Sequence, residues 1–329
     1  MRFGMGLVFL GVLMGLGGRV AVDSPGQAAI KQASNYVEWG RLKEARDLLS
    51  KALNDPANSN DAPMLAYFSH LESLFGNNQA ATDFAKRAVA MDDNCASCHL
   101  FMFEAMAQHA KTVSQMRALL ILPKMKKELE KATSLDPNLG DTQWAWLELD
   151  LGLPAAVGGS AADAMSHADR LAQIDPVDGH LARAHVDNAE GKSDAALAEY
   201  RAAAQEHPED PRGVFDLGRT LYNDGKYSEA APYLARAFDL NHESALYSAY
   251  DAANLVHLKQ LPAARAVLEA GRKQHPLSRL GDYLAAQALK TTNQDFDWAK
   301  QLLASYTAVP TEPGQPTAAD AAKLLSSLG

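Results

Sequence analysis

RGVFDLGRTLYNDGKYSEAAPYLARAFDLN, Arg212–Asn241, is the stretch on which the reading of the whole chain turns. A glycine at Gly225 is followed by a small residue at Ala230, an apolar Leu234, a second small residue at Ala237 and a polar break at Asn241-His242. That order suits two helices packed tightly together. Small side chains at Ala230 and Ala237 let the helix axes approach, and Leu234 fills the gap between them. Glycine ends the first helix because it accepts a positive φ without strain.

The same order of residue types recurs along the chain. Gly40 leads to Ala45, Leu49 and Ala52; Gly76 to Ala81, Ala85 and Ala88; Gly159 to Ala164, Ala168 and Leu171; Gly191 to Ala196, Tyr200 and Ala203. Two further copies lack the glycine but keep the rest: Met125, Leu129, Ala132 with Pro137, and Ala264, Leu268, Gly271 with Pro276. The breaks fall at Pro176, Pro208, His242 and Pro276, spacings of 32, 34 and 34 residues. One helix pair cannot bury its apolar face alone, so such units stack on their neighbours. Abundant alanine and scarce β-branched runs also favour helix.

A period of 34 residues with Leu217-Gly218, Tyr222, Gly225, Tyr227, Ala230 and Ala237 in these places resembles the tetratricopeptide repeat family, a helix–turn–helix unit. The resemblance covers residues 26–306 and implies an all-α solenoid of about seven repeats, wound as a superhelix with a concave, partner-binding groove. The middle departs from the period: Asp93 to Pro137 is 44 residues and Pro137 to Pro176 is 39. The first surplus falls in HAKTVSQMRALLILPKMKKELEKA, where the turn between two helices of a repeat is expected, and the second in LGLPAAVGGSAADA. The tracts LLILPKMKKELEKATSLDP and LPAAVGGSAADAMSHADRL resemble a bacterial group of exported repeat proteins. They are similar, more distantly, to the repeat subunit associated with tripartite periplasmic solute transporters. That second likeness implies a solute-transport accessory role, with the insertion around Leu119–Lys127 lining a pore or groove.

Composition bounds the rest. With 31 Lys and Arg against 40 Asp and Glu, the net charge is −9, and the bases are spread too thinly for a nucleic-acid or anionic-membrane footprint. Residues 1–22 read as a signal peptide: Arg2 precedes an apolar stretch, Phe3–Leu16, too short for a comfortable span. Periplasmic or secreted localisation follows, with no stable membrane span after cleavage. Residues 307–316 are Pro- and Thr-rich and read as a linker, and residues 317–329 as a short C-terminal helix that either caps the array or stays mobile.

Both cysteines lie in Cys95-Ala-Ser-Cys98-His99, the C-x-x-C-H spacing of covalent c-type haem attachment. Three readings stand. Haem would bind Cys95, Cys98 and His99, with Met102, Met106, His109 or Met116 as a second axial ligand. A dithiol or disulfide pair would sit at a helix start, where a thiolate is stabilised. A packing pair would place two small hydrophobes where the repeat wants them. Apart from the haem alternative no cofactor is expected, and no metal.

No catalytic motif is present, and an enzyme is not expected. Gly158–Ser160 follows no strand and reads as a turn, and Glu206–Pro211 as a polar turn between repeats. His167, His180 and His185, with Asp163 and Asp187, do not form a ligand pattern. Trp144 and Trp146 read as core. Periodicity places Arg212, Phe215, Arg219, Tyr222 and Asn223 on the groove, with Leu181, His185 and Asn188 from the preceding repeat and Leu246, Ala249 and His257 from the next. An arginine and an asparagine beside aromatics suit an extended peptide. The carboxylate clamp known in this family needs bases in adjacent repeats, and here they are confined to one. The expected function is an exported, non-enzymatic scaffold that binds a protein or peptide through its groove, the alternatives being a haem or dithiol redox protein and the transport accessory.

Overall fold

The computed structural model describes residues 25–329; the proposed signal peptide, residues 1–22, lies outside them. The described residues form seventeen α-helices and one short 3-10 turn, with no strand. Sixteen helices follow one another as eight pairs in chain order. They are α1 Pro25–Glu38 with α2 Leu42–Leu53, α3 Ala62–Leu74 with α4 Asn78–Met91, α5 Ala96–Thr112 with α6 Gln115–Leu135, and α7 Gly140–Gly152 with α8 Ala161–Ile174. After them come α9 Pro176–Ala189 with α10 Ser193–Glu206, α11 Pro211–Asn223 with α12 Tyr227–Leu240, α13 Ala245–His257 with α14 Leu261–Gln274, and α15 Leu280–Thr291 with α16 Phe296–Thr307. A short α17, Ala318–Ser326, ends the chain.

The small–large–small pattern gives about seven repeats, five led by a glycine and two without, one fewer than the pairs. The pair it leaves out is the last, whose turn is made by Asn293, held at φ 54° where Gly40, Gly76, Gly191 and Gly225 stand at 73°, 75°, 76° and 75° in theirs. The turn between α13 and α14 uses Lys259 at φ 60° in the same way.

The chain divides into two compact units. The first comprises the described residues up to Glu38 together with Glu44–Gly191; the second comprises Trp39–Lys43 and Lys192–Gly329. In the first unit, Ala45, Ala81, Ala85, Ala88, Ala164 and Ala168 are fully buried at close helix approaches, and Leu49, Leu129 and Leu171 fill the spaces between. Its first helices lie side by side: α1 touches α3, α3 touches α5, α5 touches α7 and α7 touches α9. In the second unit, α11 touches α13 and α13 touches α15. There Ala230, Leu234 and Ala237 are buried against α11, and a Cβ on Gly218 would stand 2.9 Å from Leu234 Cδ2, so glycine permits that crossing. Caps set the starts: Asp175 and Asp210 accept backbone N–H groups of α9 and α11, each followed by a proline that cannot donate.

One expectation about the middle is corrected. The surplus after Asp93 is not a loop: it lengthens both arms of one pair, α5 to 17 residues and α6 to 21, joined by Val113 and Ser114 alone. α6 runs through Pro123, which is exposed, so water can satisfy the carbonyl that loses its partner. The second surplus is a true connection, the 3-10 turn Ala155–Val157 followed by Gly158 at φ 94°.

Thr307 ends α16, and residues 308–316 are irregular but not free. Within the second unit Glu312 is buried and accepts the Lys43 backbone N–H at 3.0 Å, while Lys43 Nζ donates to the Pro310 carbonyl. α17 opens with a capping box between Thr317 and Asp320 and buries Ala321 and Leu324, with Leu328 after it, against Leu302, Leu303 and Tyr306. It therefore caps the last pair.

Candidate functional site

The first helices of each unit present the candidate surface, and the two units are best taken one at a time. In the first unit, α3 supplies Tyr67 and His70, α5 Phe101 and Glu104, α7 Asp141, Trp144 and Glu148, and α9 His185. Spacings of three or four residues along one helix put such side chains on one face. His70 Nδ1 bonds the Glu104 carboxylate at 2.7 and 2.8 Å, both residues being buried. The His70 ring lies 5.3 Å from that of Phe101 and 5.5 Å from that of Tyr67. Further along, His185 Nε2 meets Glu148 at 2.8 Å, and its ring lies edge-on to Trp144.

This face is polar and only partly open to water. Burial pushes the Asp141 carboxyl up to about 7, His70 opposing and Glu104 reinforcing the shift. Burial lowers Lys111, although Glu104 and Glu148 pull the other way. Tyr67 is raised well above the usual phenol, again chiefly by burial. His70 Nε2 and Trp144 Nε1 are buried with no hydrogen-bond partner. Unsatisfied buried groups cost free energy.

In the second unit the surface is aromatic. The ring of Phe215 lies 4.5 Å from that of Tyr247 and 5.5 Å from that of Tyr250. Tyr222 meets Tyr227, Tyr250 and His257 at 5.4, 5.5 and 5.6 Å, and His257 stacks on Tyr227 at 3.8 Å. A cleft of about 320 Å³ opens beside this stack, lined by residues 225–229 with His257 and Leu258. Burial lowers His257 and raises Tyr222. Asp251, also on α13, is pushed up to about 7 by burial and then by Asp239.

The residues expected on the groove have the following places. His185 and Asn188 belong to the first unit; Asn188 is exposed at the end of α9. Leu181 is there too, and the other eight belong to the second, where Leu246 is half-buried beside Gly40. Phe215 and Tyr222 join the aromatic cluster, Phe215 buried in it, and Asn223 is exposed at the end of α11. Arg219 lies 2.7 Å from Asp216 and over the Phe215 ring, and the Asp216 charge raises it further above its usual range. Arg212 grips its own cap, Asp210. Both arginines are thus engaged by neighbouring acids rather than held out for a carboxylate. His257 joins the cluster, while Ala249 and Leu181 are buried in packing.

Missed at the sequence level were Tyr67, His70, Glu104 and Asp141. A signal existed: His70 precedes Gly76 by the same six residues that separate Arg219 from Gly225 and His185 from Gly191, and Glu104 follows His70 by 34, one full period.

Cys95 is the N-cap of α5 and is disulfide-bonded to Cys98, whose backbone N–H it also accepts. His99 is buried, with Nδ1 on Glu128 at 2.7 Å and Nε2 on the Asp93 carbonyl at 3.0 Å. The two sulfurs are bonded to each other and the His99 ring is engaged at both nitrogens, while Met102 and Met106 are packed in the core. The segment ties the break before α5 to the flank of α6. His167 bonds Gln143 and stacks on Trp146, and no group of three metal-ligating side chains occurs among the described residues. Trp146 donates to Thr133 at 3.0 Å.

Comparison with known proteins agrees with this architecture. The tetratricopeptide repeat family model matches residues 188–252. No curated protein matches the chain. Among solved structures, yeast Tom70 is similar with a TM-score of 0.60 at 15% identity, over 96% of this chain and 66% of that one. A thermophilic repeat protein of Thermus thermophilus is similar over 60% of this chain and 99% of its own, with 20% identity and a TM-score of 0.49. The matched stretch runs from the end of α9 into α13, and paired helices of the same kind continue on both sides of it. Residues 188–252 thus match the tetratricopeptide repeat, and the fold in which they lie is an all-α solenoid of helix pairs.

Proposed function

We propose that this protein is an exported, non-enzymatic adaptor that holds a partner polypeptide along the first-helix faces. The observation that carries the reading is the chemistry of those faces. The first unit offers a polar face on which His185 meets Glu148 beside Trp144, and the second a continuous aromatic cluster around Tyr222 and Tyr250. An extended peptide suits either face taken by itself: its amide groups bond polar side chains, and its side chains pack on rings that lose little entropy when covered. Because Arg212 and Arg219 are held by Asp210 and Asp216, recognition runs through the body of the peptide rather than through a terminal carboxylate. Export rests on the N-terminal sequence alone, Arg2 followed by Phe3–Leu16.

The test is photo-crosslinking in the native cell. A photoreactive residue at His185 or Asn223, both at the faces and neither fully buried, should give discrete protein adducts, and Tyr222→Ala should weaken the adduct at Asn223. Absence of adducts from both positions would overturn the proposal. The intact mass of the protein recovered outside the cytoplasm should lack the residues up to about Ala21, and a full-length mass in the cytoplasm would refute export.

A further inference from the structure

The lengthened α5–α6 arms carry a second surface, distinct from the first-helix faces. Residues 105–127 contain Lys111, Arg117, Lys124, Lys126 and Lys127 and no acid, in a chain whose net charge is −9. At the same tip Met116 is 71% exposed, Leu120 79% and Leu119 38%, and Pro123 is exposed beside them. Positions 116, 119, 120 and 123 follow the i, i+3, i+4, i+7 rule and so form one stripe of α6. The opposite side of that helix packs through Met125, Leu129 and Ala132. An apolar stripe of this regularity normally faces a core; here it faces solvent, and Lys124 and Lys127 continue it one turn further on.

We infer that the tip of the α5–α6 hairpin docks on an anionic lipid surface. The division of labour is that of an interfacial helix: Met116, Leu119, Leu120 and Pro123 enter the headgroup–acyl boundary, while Arg117, Lys124 and Lys127 meet lipid phosphates. Lys111 and Lys126 contribute less, Lys111 donating to Gln108 near Glu104 and Glu148 and Lys126 lying near Asp150. A protein partner is the poorer fit, because protein interfaces are depleted in lysine at their centre and enriched in aromatics, and this tip has lysines and no aromatic. No helix of the described residues is long and apolar enough to cross a membrane, so the tip lies on the surface. A chain-average count of bases hides this patch because all its charge of one sign is gathered in 23 residues.

The apolar N-terminal segment could itself bring the full chain to a membrane, so the readout has to come from the tip. A nitroxide on Met116→Cys, attached to the full chain with Cys95 and Cys98 bridged, should be shielded from an aqueous relaxation agent on vesicles of phosphatidylcholine and phosphatidylglycerol in equal parts, and not on phosphatidylcholine alone. Leu120→Asp, on a side chain 79% exposed, should abolish the shielding. Lys124→Ala and Lys127→Ala should each weaken it by about fivefold, the worth of one basic residue at such a surface. A label that stays aqueous while the protein sediments with vesicles would overturn the proposal. So would shielding that appears without vesicles as protein concentration rises, since the face would then cover a second copy. A protein adduct from a crosslinker at Leu120, with no shielding on vesicles, would overturn it as well.

Discussion

Lys259 stands where other turns of the array use glycine, with φ at 60°, a region in which an L side chain crowds its own carbonyl. Its backbone N–H still bonds the Val256 carbonyl, so the turn forms and the strain is borne. Lys259→Gly should therefore raise stability by about 1 kcal/mol, the relief of strain outweighing the extra freedom of the unfolded glycine. Urea unfolding reads this as a higher midpoint at unchanged slope. The other residue-scale device is the bond between Cys95 and Cys98. The native protein should weigh two hydrogens less than its sequence and show no Soret band, and reduction should cost at most about 2 kcal/mol, because the closed loop is very short. A mass heavier by one haem would instead make Cys95, Cys98 and His99 a cofactor site.

At the scale of elements, each helix pair depends on neighbours for its apolar face, so the ends of the array need covering. α17 does this for the last pair through Ala321, Leu324 and Leu328 against Leu302, Leu303 and Tyr306. Leu324→Ala with Leu328→Ala should lower stability by roughly 3 kcal/mol, less than two fully enclosed leucines would cost because these lie near the surface. Far-UV circular dichroism would follow the loss, and an unchanged midpoint would mean that α17 is not a cap. Elements were legible in the sequence where small and large residues alternate at helical spacing, as at Ala230, Leu234 and Ala237, since those choices encode an approach distance. The arms of α5 and α6 were not legible. Pro123 argues locally against a helix, and the stripe Met116, Leu119, Leu120 has the period of a core face although Met116 and Leu120 stand open to solvent. The pairing of His70 with Glu104 was likewise hidden in composition, because it depends on register between two repeats rather than on any local motif.

At the scale of the molecule, each unit holds a carboxyl lifted by burial, and together they set a pH dependence. Asp141 in the first unit and Asp251 in the second are both pushed from 3.8 up to about 7, burial being the main cause in each. A carboxyl that is a weaker acid folded than unfolded keeps its proton longer in the folded chain, so between those values the folded state binds more protons. Stability is then undiminished by these groups below pH 3.8 and falls as pH rises to about 7. The ceiling is about 4 kcal/mol for each group, from about three pKa steps at 1.36 kcal/mol apiece. Asp210 acts in the opposite sense: Arg212 holds its carboxyl below the usual range, and its contribution is lost only as the solution becomes strongly acid. Asp251→Asn keeps the shape of the side chain and removes its charge. It should leave the urea midpoint nearly unchanged at the acid end of the window and raise it at the neutral end. Asp141→Asn should do the same, unless a bound partner already neutralises that face. If so, the gain from Asp141→Asn would shrink when the partner is added while that from Asp251→Asn would persist, so the pair of variants would show which unit the partner occupies.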